Sequence, residues 1–93
     1  MKFEWDTQKS ETCFQTRGFD FAYAARAFLD PDRSVREDDR YDYEESRYVV
    51  MGKIESRLFC VVYTVRGETI RIISARKANS REVKQYENHL HNH

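Results

Sequence analysis

The sequence predicts an α+β domain in which an antiparallel sheet of about four strands packs against N-terminal helices and is followed by a C-terminal helix. Three observations carry this. Phe21, Ala24, Ala25 and Phe28 recur at helical spacing early in the chain. Residues 57–65 and 69–75 are dense in Val, Ile, Phe and Tyr and are separated by Arg66-Gly67-Glu68, a hairpin turn. Asn79 followed by Glu82 is a capping-box pattern that opens a last helix. Helices segregated early and a meander late make an α+β arrangement.

Taken in order, Lys2 to Trp5 reads as a short strand. Asp6 or Thr7 supplies a side-chain oxygen to the free N–H groups of a first helical turn, and that helix stops at Arg17-Gly18. Asp20 caps a second helix, which ends before Asp30-Pro31. Residues 30–45 hold eight acids, Asp42 among them, against three arginines, and read as a polar loop with a short edge strand at Ser34-Val35-Arg36. Arg47 to Met51 is the next strand, with a turn around Gly52 to Ser56 that contains Lys53. Arg57 to Val65 is long and apolar enough to be central, and Thr69 to Ala75 follows it. The last helix runs through Val83, Tyr86 and Leu90.

Ninety-three residues make one domain, 1–93. The formal net charge of zero conceals an asymmetry: residues 1–45 carry 7 Lys/Arg against 12 Asp/Glu, and residues 46–93 carry 9 against 4. Such a split suits one surface for a polyanion and another for a basic partner. Cys13 and Cys60 fall in helix and strand patterns and read as buried free thiols. The start, MKFEWDTQK, has acids and no apolar stretch, which argues against a secretory leader, and no apolar run reaches membrane-spanning length. The expected location is the cytosol, with no membrane partner.

Much familiar chemistry is missing. No Cys/His cluster has zinc spacing, no glycine-rich loop is present, and no serine sits in a nucleophile-elbow context. The three histidines, His89, His91 and His93, crowd the last five residues. No metal or cofactor is expected. Arginine, lysine, tyrosine and glutamate remain, and they suffice for RNA cleavage by attack of the 2′-hydroxyl on its own phosphodiester. The RNA supplies the nucleophile, so the protein need only position it and stabilise charge.

The cations concentrate in one place. Arg71-Ile-Ile-Ser-Ala-Arg-Lys-Ala78 runs straight into a helix, and Arg71, Arg76, Lys77, Arg81 and Lys84 fall together with Glu82 as the only acid among them. This RIISARKA block, VVYT at 61–64 with Arg66-Gly67, and FEWD at 3–6 resemble the BrnT family of toxins from bacterial type II toxin–antitoxin pairs. The resemblance implies a RelE-like fold and a metal-independent endoribonuclease that inhibits translation and growth. It also implies a ribbon-helix-helix antitoxin of the BrnA kind, in a 2:2 heterotetramer that touches operator DNA only through the antitoxin.

Candidate residues follow from the residue chemistry and the resemblance together. Arg76, near a strand end and facing the next helix, is the candidate phosphate clamp, the alternative being an ion pair to Glu82 or Glu68. Tyr86 and Glu82 share a helix face and join it as candidates for proton transfer, and Tyr86 alternatively caps the core. Lys9 matches a lysine that the family carries on its first helix. Arg57, Lys53, Lys77, Arg81, Lys84 and Arg17 are candidates for RNA binding. Strict alternation puts Ile70, Ile72, Ser74 and Arg76 on one face and Arg71, Ile73 and Ala75 on the other, which leaves Arg71 for the antitoxin.

One motif departs from the family. Its first helix reads close to K-x-x-x-N-x-x-K-H-G, whereas this chain has Lys9, Cys13, Thr16, Arg17 and Gly18. Arginine binds phosphate but cannot serve as a neutral base. The alternative reading is therefore a catalytically impaired toxin homologue that acts as antitoxin partner in transcriptional autoregulation.

Overall fold

The computed structural model describes residues 1–39 and 44–91; Asp42 and His93 lie outside the described residues. The elements are β1 (Lys2–Trp5), α1 (Thr7–Arg17), α2 (Phe21–Ala24) continued by a 3-10 turn (Ala25–Leu29), β2 (Ser34–Glu37), β3 (Tyr48–Ile54), β4 (Arg57–Arg66), β5 (Thr69–Lys77) and α3 (Ser80–His91). The sheet order is β1-β5-β4-β3-β2.

The α+β class and the C-terminal helix stand, but the sheet has five strands rather than about four, and it is mixed. β1 pairs parallel to β5, with Phe3 opposite Ile70 and Trp5 opposite Ile72. The other pairings are antiparallel. A parallel neighbour requires a long crossover, and here the whole chain between β1 and β5 supplies it. The pairing carries Phe3 and Trp5 onto the helix-covered face, where they pack against the main core.

Local chemistry explains the helices. Asp6 Oδ1 accepts the Lys9 N–H at 3.0 Å and Asp20 Oδ1 accepts that of Tyr23 at 2.9 Å, each satisfying a first-turn donor. Gly18 ends α1 in the left-handed region at φ 85°, its N–H bonded to the Phe14 carbonyl. Ser10 Oγ accepts the Phe21 N–H at 3.0 Å, which ties α1 to α2. The first core joins Cys13, Phe19, Phe21, Ala24, Ala27 and Phe28 to Val50, Ile54, Phe59, Val61, Tyr63, Ile72 and Ala75 of the sheet.

The opposite face carries α3. Tyr86 packs there with Val49, Met51, Leu58 and Cys60, and Val83 and Leu90 flank it. The sheet is thus buried between α1–α2 on one side and α3 on the other.

Two strand readings need correction. Gly52 and Lys53 belong to β3, not to a turn; the chain reverses at Glu55-Ser56. Gly52 is glycine because the 3-10 turn lies directly on it: a Cβ there would sit 2.2 Å from the Ala27 carbonyl oxygen. β5, moreover, is not regular. Val62 pairs with Ser74 but Tyr63 with Ile72, so Ile73 is an extra residue that resets the alternation. Ile70, Ile72 and Ala75 pack against the first core. Arg71 and Arg76, opposite Thr64 and Cys60, share the α3 side.

A buried carboxylate fastens these layers. Asp30 Oδ1 accepts the Asp32 N–H at 2.9 Å, and Oδ2 accepts the Lys53 N–H at 2.8 Å and the Tyr86 hydroxyl at 2.5 Å. Burial alone would raise its pKa; the three donors outweigh burial and hold the carboxyl below its ordinary value. Tyr86→Phe should cost about 1.5–3 kcal/mol, the range for hydrogen bonds to charged groups. In an Asp30→Ala background the same change should cost much less. Urea unfolding of the four proteins measures the coupling, and additive effects would show that this bond holds nothing together.

Candidate nucleic-acid interface

Alternation along β4 and β5 places two cations around one floor, and α1 adds a third. Phe59 packs against the first core, so Arg57, two residues earlier, projects to the same side, and Lys77 lies directly opposite Phe59 on β5. The C-terminal end of α1 brings Arg17 to the same place. The result is a cleft of about 470 Å³ whose lining includes Arg17, Arg57 and Lys77 with Phe14, Phe19, Tyr23 and Phe59; Asp20, Glu55 and Ser56 complete its polar side. Phe19, Tyr23 and Phe59 meet at centroid distances of 5.0–6.3 Å and form a common aromatic wall.

Arg17 also lines two smaller depressions. One, of about 270 Å³, runs between α1 and β5 and includes Lys9, Cys13 and Ser74. The other, of about 260 Å³, includes Phe19, Arg76 and Lys77. The candidates Lys9, Arg17, Arg57, Lys77 and Arg76 therefore lie along depressions that share Arg17.

The remaining candidates, Glu82, Tyr86, Lys53, Arg81, Lys84 and Arg71, lie elsewhere, and Glu82 is bound to Arg76. Arg76 Nη1 and Nη2 donate to Glu82 Oε1 and Oε2 at 2.7 and 2.8 Å, a bidentate pair. Glu82 also completes the capping box: its Oε1 accepts the Asn79 N–H, and its own N–H donates to Asn79 Oδ1, both at 2.9 Å. The Arg76 guanidinium above all holds the Glu82 carboxyl down at about 2. A carboxylate that acidic is a weak base, so Glu82 is suited to fixing Arg76 rather than to accepting protons.

Tyr86 is 2% exposed, and its hydroxyl is committed to Asp30. Burial and that carboxylate push its pKa far up, so it holds its proton tightly. Lys53 Nζ lies 5.5 Å from the Tyr86 ring centroid, away from the cleft. Arg81 and Lys84 are exposed on α3. Arg71 Nη1 donates to Glu4 Oε2 at 2.6 Å, between β5 and β1. Cys60 is buried beside Glu82, and burial pushes its thiol up to about 11.

Sequence reasoning missed the aromatic and acidic sides of the cleft. Asp20 is legible in the sequence only as a cap, and residue type does not mark Tyr23 as a cleft residue. Phe14 did leave a signal, since a large apolar residue directly after the core position Cys13 points off the buried stripe of its helix. Glu55 owes its place to a left-handed turn residue, φ 55°, which residue type does not announce.

Among the described residues, no group of three or more His, Cys, Asp or Glu is placed to hold a metal ion, and no helix is long and apolar enough to cross a membrane. A family model described as the ribonuclease toxin BrnT of type II toxin–antitoxin systems matches residues 5–82. No individually curated protein matches the chain.

The Glu82 pair generates a pH signature. Its carboxyl titrates near 2 when folded against an ordinary 4.5, so its contribution is present above about pH 4.5 and is lost as pH falls toward 2. Glu82→Gln should be less stable than the wild type at neutral pH, by about 1.5–3 kcal/mol. The gap should close on acidification through that window. Denaturant midpoints of the two proteins against pH check this; a constant gap would place the stabilisation elsewhere.

Proposed function

The chain belongs to the BrnT family of ribonuclease toxins from type II toxin–antitoxin systems, and we propose that it cleaves RNA at the depressions around Arg17. The observation that carries this reading is the convergence of Arg17, Arg57 and Lys77 on one aromatic-walled cleft. Cations placed around a phosphodiester neutralise the charge that grows on it as the 2′-oxygen attacks. The 2′-oxygen bonds to phosphorus, the bond to the 5′-oxygen breaks, and a 2′,3′-cyclic phosphate remains. Glu55 is the exposed acceptor for the 2′-hydroxyl proton, and Lys77 is the donor to the departing 5′-oxygen. Guanidinium and ammonium groups supply the charge stabilisation, so the proposed reaction needs no metal.

The other candidates take supporting roles. Lys9 extends the phosphate track along α1, and Arg76, held by Glu82, borders it on the β5 side. Arg81 and Lys84 extend the positive surface along α3. Tyr86 and Lys53 keep the scaffold together through Asp30. The partner of a type II toxin is an antitoxin. We assign it the ribbon-helix-helix type, in a 2:2 complex that reaches operator DNA through the antitoxin alone, with contacts around Arg71. A RelE-like topology, a cytosolic location and arrest of translation complete the proposal.

One observation favours a second reading. Arg17, which stands where the family pattern resembled above has histidine, lies at the centre of the depressions. A permanently protonated group there binds RNA without moving protons, which suits a binding homologue rather than an enzyme.

Antitoxin-free protein incubated with RNA in EDTA should leave 2′,3′-cyclic phosphate or 3′-phosphate ends. Arg57→Ala should slow cleavage by about 10²–10³-fold without unfolding the domain. Ends bearing 3′-hydroxyl groups, or loss of activity in the chelator, would refute the mechanism, and binding without cleavage would establish the second reading.

Affinity for RNA should fall steeply with salt, because each Lys or Arg contact to phosphate releases condensed counterions. Arg81→Glu and Lys84→Glu should each flatten the dependence of log affinity on log salt by about 0.7, the value for one contact on a single strand. Anisotropy titrations across a salt series measure this slope, and an unchanged slope would remove α3 from the interface.

A further inference from the structure

We propose that Phe14, with Tyr23 beside it in the cleft, seats one unstacked nucleobase, which makes single-stranded RNA the substrate. This rests on the placement of RNA in the cleft. Phe19 and Phe59 are core residues, 7% and 2% exposed, and need no ligand to explain them. Phe14 is different: it is 54% exposed on the cleft rim and belongs to neither core cluster. Tyr23 also lines the cleft, and its ring is fixed from two sides. The Arg26 guanidinium lies 5.1 Å from its centroid and the Phe59 ring stands edge-on to it at 5.8 Å. The aromatic rings therefore stand beside Arg17, Arg57 and Lys77, within a cavity the size of small-ligand pockets.

Stacking surfaces interleaved with cations are the means by which a protein holds a single strand: the cations follow the phosphates and the rings take the bases. A base in a duplex hides both faces in the stack and cannot reach such a wall without being extruded. Phosphate contacts alone would accept either form of RNA. Phe14 and Tyr23 add a term that only an unstacked base can satisfy.

The test uses full-length protein and 2′-O-methyl oligoribonucleotides, which lack the nucleophile and stay intact. One strand is titrated alone, and then annealed to its complement. The single strand should bind at least about tenfold more tightly than the duplex. Phe14→Ala should weaken single-strand binding by about 5–100-fold while leaving duplex binding and the unfolding midpoint unchanged, and Phe14→Trp should restore it. Equal affinity for both forms, or single-strand binding untouched by Phe14→Ala, would overturn the inference alone. Binding of both forms unaffected by Arg57→Ala would instead refute the placement of RNA in the cleft, and this inference with it.

Discussion

The architecture depends on one buried carboxylate. Asp30 leaves the 3-10 turn where the chain must pass from the helical layer to the sheet edge, and it is 9% exposed. A charge in that position is costly unless donors surround it. The donors come from three places: the next turn through the Asp32 N–H, β3 through the Lys53 N–H, and α3 through the Tyr86 hydroxyl. The first two fix the end of the helical layer against the sheet. The third reaches an element on the other face and fastens α3 in register. Gly52 belongs to the same constraint, because the Ala27 carbonyl can approach β3 so closely only where no Cβ intervenes.

The cleft follows from this anchoring. With the 3-10 turn held on β3, α2 lies over the sheet and Phe19 and Tyr23 pack against Phe59. Ser10 then ties α1 to the start of α2, and the helix ends at Gly18 with Arg17 directed at the ends of β4 and β5. On the far face, α3 in register brings Glu82 under Arg76. The hydrogen bond that holds α3 thus also shapes the charged surface on that same face of the sheet. The Arg76–Glu82 pair also shows why counting cations along a sequence overstates a site. The densest cationic run is RIISARKA, yet Arg71 is paired to Glu4 and Arg76 to Glu82, and it is Lys77 that reaches the cleft.

What was legible in the sequence was local. Asp6, Asp20 and the Asn79–Glu82 box announce their helices because a cap is made by residues three apart, and Gly18 ends α1 for a reason visible in one residue. Arg17, Arg57 and Lys77 were recognisable as cations but not as neighbours, since their meeting is decided by the pairing of β4 with β5 and by where α1 lies. The parallel partner of β1 was hidden for the same reason. The extra residue Ile73 did leave a trace: Ile72 and Ile73 are adjacent apolar residues, after which Ser74, Ala75 and Arg76 alternate in the shifted phase, and the pairing with β4 fixes where the phase changes. Asp30 looked like one acid among eight. Nothing in its neighbours separates a solvated carboxylate from a buried one.

The position of Arg17 narrows the chemistry that this surface can perform. Charge stabilisation and proton transfer are separate demands on a ribonuclease, and a guanidinium meets only the first. Where a histidine could alternate between base and acid, the proposed reaction divides the work: Arg17 stays on the phosphate, and other groups exchange the protons. The cleft offers two carboxylates for this, and they differ in freedom. Asp20 Oδ1 is committed to the first turn of α2, so protonating it would weaken a helix cap. Glu55 stands on a tight turn with its Oε2 3.5 Å from the Tyr23 hydroxyl and its Oε1 3.9 Å from Arg26 Nη2, both long, exposed contacts. These contacts hold Glu55 less firmly than the bidentate Arg76 pair holds Glu82, and the proposed reaction uses Glu55 for that reason. In the proposed reaction, an arginine at position 17 therefore moves the proton transfer from α1 to the β3–β4 turn, where residue type over 52–56 marks only Lys53 as a candidate.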